Sequence, residues 1–224
     1  MSRPKLRSTI RWFCRSFGAL AVALLAAAPA LAAAVPSLDG PNLGRGPWSS
    51  MRMLLQKLVF DVADVDVRFD PQTQARFAQL ATGKAYSPDL GHQLALAAID
   101  AKHAVFQTKF KRDVPLNRWV GVVKDDLEQA RKAGLITREV EQRVGDSLPQ
   151  WFGALKDRGY EKGDRLIYAV TPDAVRSVVV STGGQVLVDR TESGHEGRRV
   201  VLGSFFATGS EFREPLLKSM FASK

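Results

Sequence analysis

The sequence predicts an α+β fold, an antiparallel β-sheet backed by helices on one face. Two observations carry this. Within residues 163–218, three short strand patterns and then two helix patterns follow one another with turn chemistry at each junction. Further strand patterns lie upstream, on the other side of a helical middle.

Residues 1–32 are set apart from that domain. Arg3, Lys5, Arg7, Arg11 and Arg15 precede an apolar stretch from Phe17, and Ala30-Leu31-Ala32 supplies small residues for a cleavage site, the pattern of a secretory signal peptide. The alternative is an uncleaved membrane anchor; the weakly apolar alanine run and the A-x-A ending argue against it. Cys14, the single cysteine, has no lipoprotein-type context. The expectation is therefore cleavage after Ala32, a periplasmic or secreted protein, and no stable membrane insertion afterwards.

The segment's five basic residues account for more than half of the formal net charge of +9, which removes the main support for a nucleic-acid partner. With Cys14 removed, no cysteine is left for disulfide or thiol chemistry.

Residues 33–50 hold Pro36, Pro41 and Pro47 with Gly40, Gly44 and Gly46, and predict an extended segment leading into a domain over residues 51–224. Leu54, Leu58, Phe60 and Val62 then alternate, and Val65, Val67 and Phe69 alternate in the other phase. That reads as one long strand with a bulge or bend near Ala63-Asp64. Asp70-Pro71 starts a helix that ends near Gly83, and residues 88–99 have helical spacing. Residues 104–110 alternate as a strand. Pro115 opens an amphipathic helix with Leu116, Trp119, Val120, Val123, Leu127 and Ala130 on one stripe and Gly134 beyond its end. Thr137 starts another, which Pro149 should kink or restart. The charges of these two helices read as solvated faces. Residues 166–170, 175–180 and 185–188 form a meander turned at Thr171-Pro172-Asp173 and Gly183-Gly184. Residues 200–207 and 212–221 close the chain as helices, with Gly209 as a stop and Ser210 as an N-cap.

Few motifs carry chemistry. His92, His103 and His195 are far apart and in no ligand spacing, so no metal is predicted. There is no G-x-S-x-G and no phosphate-cradling glycine loop. Asp61, Asp64 and Asp66 lack the Glu that would complete a calcium loop and read as the polar face of a bent strand.

Several short pieces, in order, resemble the bacterial chalcone-isomerase-like proteins. They are Arg52 ahead of Lys57-Leu58-Val59-Phe60, Lys111-Arg112-Asp113-Val114, Lys162-Gly163-Asp164, Gly183-Gly184, and Val200-Val201-Leu202-Gly203-Ser204 through Leu216-Leu217-Lys218. The resemblance implies an open-faced β-sandwich with a ligand cleft between sheet and helices. It places Arg52 where the family has an arginine that binds an anionic group of its ligand. Phe60 falls where plant enzymes have a threonine and many bacterial relatives a tyrosine. Ser204 falls near a hydroxyl residue of the active enzymes, and Trp119 with Asp126 has the spacing of their Tyr and Asn pair.

Three functions stay open on these residues. The first is a binder of a hydrophobic carboxylate such as a fatty acid, in a cleft lined by Leu54, Leu58, Phe60, Trp119, Val123, Asp126 and Ser204 with Arg52 at its polar end. Haem is a further ligand of this class, although no axial His or Met is evident, so no cofactor is predicted. The second is a ring-closing intramolecular lyase using Arg52 and Ser204. Phe60 opposes it, because a missing oxyanion donor typically costs about 10²- to 10³-fold in rate. The third is a scaffold in which Arg52 is a structural ion-pair residue. The sequence leaves the oligomeric state open.

Overall fold

Six strands pair in sequence order, each antiparallel to its neighbour, in the computed structural model, which describes residues 34–57 and 60–222. They are β1 (Ser50–Lys57), β2 (Phe60–Phe69), β3 (Ala104–Phe110), β4 (Arg165–Val170), β5 (Ala174–Val180) and β6 (Val186–Ser193). Helices α1 (Pro71–Ala81) and α2 (Pro88–Ile99) fall between β2 and β3, α3 (Leu116–Lys132) and α4 (Arg138–Trp151) between β3 and β4, and α5 (His195–Phe206) and α6 (Arg213–Ala222) follow β6. This is the α+β class expected from the sequence, and everything below belongs to the unit from Val35 onward.

Side-chain chemistry starts the helices where the sequence places the signals. Asp70 Oδ1 accepts from Thr73 N at 2.8 Å with Pro71 in the first helical position, Ser87 Oγ caps α2, and Thr137 Oγ1 caps α4. The second oxygen of Asp70 accepts from the amides of Lys102 and His103, which ties the start of α1 to the entry of β3. α4 runs through Pro149 to Trp151 and is followed by a single 3₁₀ turn, Gly153–Leu155. α5 begins five residues before the expected start at 200, because its first turn, His195 to Arg199, is polar and hides the apolar period.

The largest correction concerns residues 51–69. They form not one bent strand but a hairpin, with β1 turning back onto β2 between Lys57 and Phe60. The phase shift in the sequence is real: the register slips between Leu55 and Gln56, which puts Val62 in a bulge on β2. The inner face of β1 is therefore Met51, Met53, Leu55 and Lys57, paired across to Val67, Val65, Ala63 and Phe60.

The inner face of the sheet carries two apolar clusters side by side. One gathers Phe69, Phe77, Phe106, Phe206, Leu94 and Leu216 under α1, α2, α5 and α6. The other gathers Phe110, Trp119, Leu127, Val144, Phe152 and Tyr160 under α3 and α4. On the outer face Val105, Ile167, Val178 and Val180 pack with Leu38 and Leu43 of the segment that precedes β1.

Candidate functional site

A cavity of about 440 Å³ lies between the inner face of the sheet and helices α3, α4 and α5. That volume is in the range of small-molecule sites, about 300–1,000 Å³. Its floor holds Leu55, Val62, Phe110, Thr108, Leu166, Tyr168, Val175 and Ser177. α3 contributes Trp119, Val122, Val123 and Asp126, an i, i+3, i+4, i+7 stripe on one helix face. Val144, Leu148, Trp151 and Phe152 come from α4 and the residue after it, and Val200, Val201, Ser204 and Phe205 from α5.

Charge gathers at two rims. At one, Phe60 is 53% exposed and the Arg112 guanidinium stacks over its ring at 4.7 Å. Arg118, in the first turn of α3, shares this rim, and neither arginine makes an ion pair among the described residues. Lys57 is here too, bonded to Glu211. At the other rim Arg190 of β6 lies 3.5 Å over the Trp151 ring and 3.3 Å from Glu192.

Asp126 is the unusual residue of the wall. It is only 7% exposed, it sits where the α3 stripe is otherwise apolar, and its carboxyl makes no hydrogen bond among the described residues. Burial, reinforced by the negative charges of Glu211 and Asp125 and opposed by Lys57, pushes it up to about 8. At neutral pH it is a neutral carboxylic acid, a hydrogen-bond donor in an apolar cavity. Tyr168, on the floor, is also raised, by burial first and by Asp126 second, and keeps its proton.

The expected site residues divide. Phe60, Trp119, Val123, Asp126 and Ser204 all line the cavity. Arg52 does not: its side chain is 80% exposed on the outer face of β1, and its Nε lies 2.5 Å from Oδ1 of Asp66, its cross-strand neighbour. Leu54 is 39% exposed beside it and also misses the cavity. Leu58 lies outside the described residues. The cause of the misplacement is the hairpin, since alternation carried straight from residue 52 to 62 picks the wrong parity for β1. Lys57, Arg112, Arg118, Tyr168 and Ser177 were not anticipated as site residues. Tyr168 had a signal, an even position in a strand whose Leu166 and Val170 face the core; the arginines had none.

The lining holds no His, Met or Cys, and no group of three or more potential metal ligands gathers among the described residues. No described helix is long and apolar enough to cross a membrane.

Fold and site together define an α+β protein with an internal apolar cavity. No family model matches the chain, and no curated protein matches it. Among solved structures it is similar to a fatty-acid binding protein of Arabidopsis thaliana, with a TM-score of 0.49 and 12% identity over 83% of this chain and 92% of that one. A likeness this distant identifies neither a family nor a ligand.

Proposed function

We propose that this protein binds a hydrophobic carboxylate, such as a fatty acid, in the cavity between the sheet and α3–α5. The observation that supports the reading is the pairing of a deep apolar enclosure with two arginines, Arg112 and Arg118, that stand at its rim without an acidic partner among the described residues. The aliphatic tail gains about 0.8 kcal/mol per methylene buried. The head group meets a guanidinium fork suited to two parallel charge-assisted hydrogen bonds. In this reading the rim arginines replace Arg52, whose exposed pair with Asp66 is worth about 0–1 kcal/mol and concerns the β1–β2 hairpin.

Binding is placed ahead of ring closure because Phe60, the residue at the rim, offers no hydroxyl. Exposure of the purified protein to chalcone should leave the substrate's absorbance unchanged. Export through residues 1–32 belongs to the same proposal and rests on the sequence alone; intact mass of material from the periplasm should begin at Ala33.

The direct test titrates a fluorescent fatty acid into wild type and into the double variant Arg112→Met, Arg118→Met. With the arginines partly solvated, the loss should be about 1–2 kcal/mol, roughly 5- to 30-fold in Kd. The methyl ester should bind wild type weakly and ignore the substitutions. Equal binding of acid and ester to wild type would remove the head-group assignment.

A further inference from the structure

The apolar cavity has one feature that a plain acyl chain leaves unexplained. Asp126 on the α3 wall, 7% exposed, and Tyr168 on the sheet floor, half-buried, both line the cavity, and neither side chain has a hydrogen-bond partner among the described residues. A ligand that covers such polar groups without offering them a partner leaves them buried and unpaired, which costs about 1–3 kcal/mol each. A saturated chain lying between these residues would leave both orphaned. An oxygen atom on the chain would satisfy both.

We propose that the cavity is built for an oxygenated amphiphile, a keto or hydroxy fatty acid whose mid-chain oxygen accepts hydrogen bonds from the Asp126 carboxylic acid and the Tyr168 hydroxyl. This rests on the binding reading above and specifies its ligand class. The two donors come from opposite walls, a helix and a strand. They lie inside the apolar enclosure, whereas the arginines that meet the head group stand at its rim. Head and mid-chain oxygen are thereby read at separate places. Sites that hydrogen-bond a substrate oxygen discriminate more sharply than apolar pockets, because an analogue lacking it leaves the buried donors unpaired.

Protonation at the site fits this role. Asp126 faces Lys57 of β1, Glu211 from the loop before α6, Tyr168 of β4 and Asp125 of its own helix, and burial dominates these charges in keeping the acid neutral at physiological pH. A neutral acid and a tyrosine on facing walls of one cavity can both donate to one acceptor; a carboxylate there would repel it.

The test compares hexadecanoate, a positional series of keto-hexadecanoates and hexadecylamine by displacement of a fluorescent fatty acid at pH 7. One keto position should bind wild type roughly 10-fold more tightly than hexadecanoate, the worth of one or two neutral hydrogen bonds. Asp126→Leu and Tyr168→Phe should each shrink that preference, and Asp126→Leu should bind hexadecanoate at least as well as wild type does. Thermal unfolding of both variants checks that they fold, and Tyr168→Phe, which keeps the ring, carries the test if Asp126→Leu does not fold. Equal binding of hexadecanoate and every keto acid would overturn the oxygen site and leave the binding reading standing. Tighter binding of hexadecylamine than of any acid would overturn it differently, by showing Asp126 to act as a carboxylate. If no acid displaces the probe at all, the binding reading falls and the oxygen site with it.

Discussion

Under α1, α2 and α6 the sheet's inner face is filled with rings: Phe106 contacts Phe69, Phe205 and Phe206, and Phe69 also contacts Phe77. The alanines of α2, Ala95, Ala97 and Ala98, leave room for that packing. Under α3 and α4 the same strands present Thr108, Leu166, Tyr168 and Ser177, and the valines of α3 do not fill the space above them. No residue of α1 or α2 lines the cavity. One half of the core is therefore spent on holding the sheet, which leaves the other half free to stay hollow.

The carboxylates of the two halves make the same contrast. Burial would raise Asp70, but hydrogen bonds from the His103, Thr73 and Lys102 amides and from the Thr73 hydroxyl outweigh it and hold the carboxyl below its usual range. Asp126 has no such donors and is raised to about 8. The first is a satisfied structural cap, the second a buried carboxyl without a hydrogen-bond partner among the described residues.

The largest expected effect of breaking this contrast is in the filled half. Phe106→Ala removes a fully buried ring and several edge or tilted ring contacts, and should cost about 3–5 kcal/mol in denaturant unfolding. A cost near 1 kcal/mol would mean the aromatic half is not the stabilising one.

Next comes the pH dependence of stability. Below about pH 4 both folded and unfolded states hold the Asp126 proton; between about pH 4 and 8 only the folded state does, so stability falls as pH rises through that window. Asp126→Asn should flatten the slope and be more stable than wild type near pH 8, by up to a few kcal/mol. Asp70 acts with the opposite sign, its stabilisation being lost as pH falls through its lowered folded value. Wild-type and Asp126→Asn curves that run parallel from pH 5 to 8 would show Asp126 to be ionised in the fold.

The smallest effect is expected on the outer face. Arg52→Met breaks an exposed pair and should change stability by less than about 1 kcal/mol.

The sequence made the framework legible because local chemistry sets it: Asp70-Pro71, Thr137, Thr171-Pro172-Asp173 and Gly183-Gly184 each mark an end that the structure shows. Part of the helical wall was legible for the same reason, since Trp119 and Val123 share the apolar stripe of α3, whereas Asp126 was reached only through the resemblance, being a charge on an otherwise apolar face. The strand side was not. Nothing in Lys57-Leu58-Val59-Phe60 signals a turn by Gly, Pro, Asn or Asp, so the β1–β2 hairpin reads as continuous strand and Arg52 and Leu54 fall on the wrong face. Arg112 reaches the rim only through the path of the β3–α3 connection, which no periodicity encodes, and Arg118 stands in the polar first turn of α3.

The measurement that bears most directly on the cavity as the binding site is a fluorescent fatty-acid titration of three folded proteins: wild type, Val123→Trp and Arg52→Met. Val123→Trp puts an indole into the hollow half and should abolish saturable binding with little change in unfolding temperature, while Arg52→Met should bind as wild type does. Binding retained in Val123→Trp and lost in Arg52→Met would contradict it.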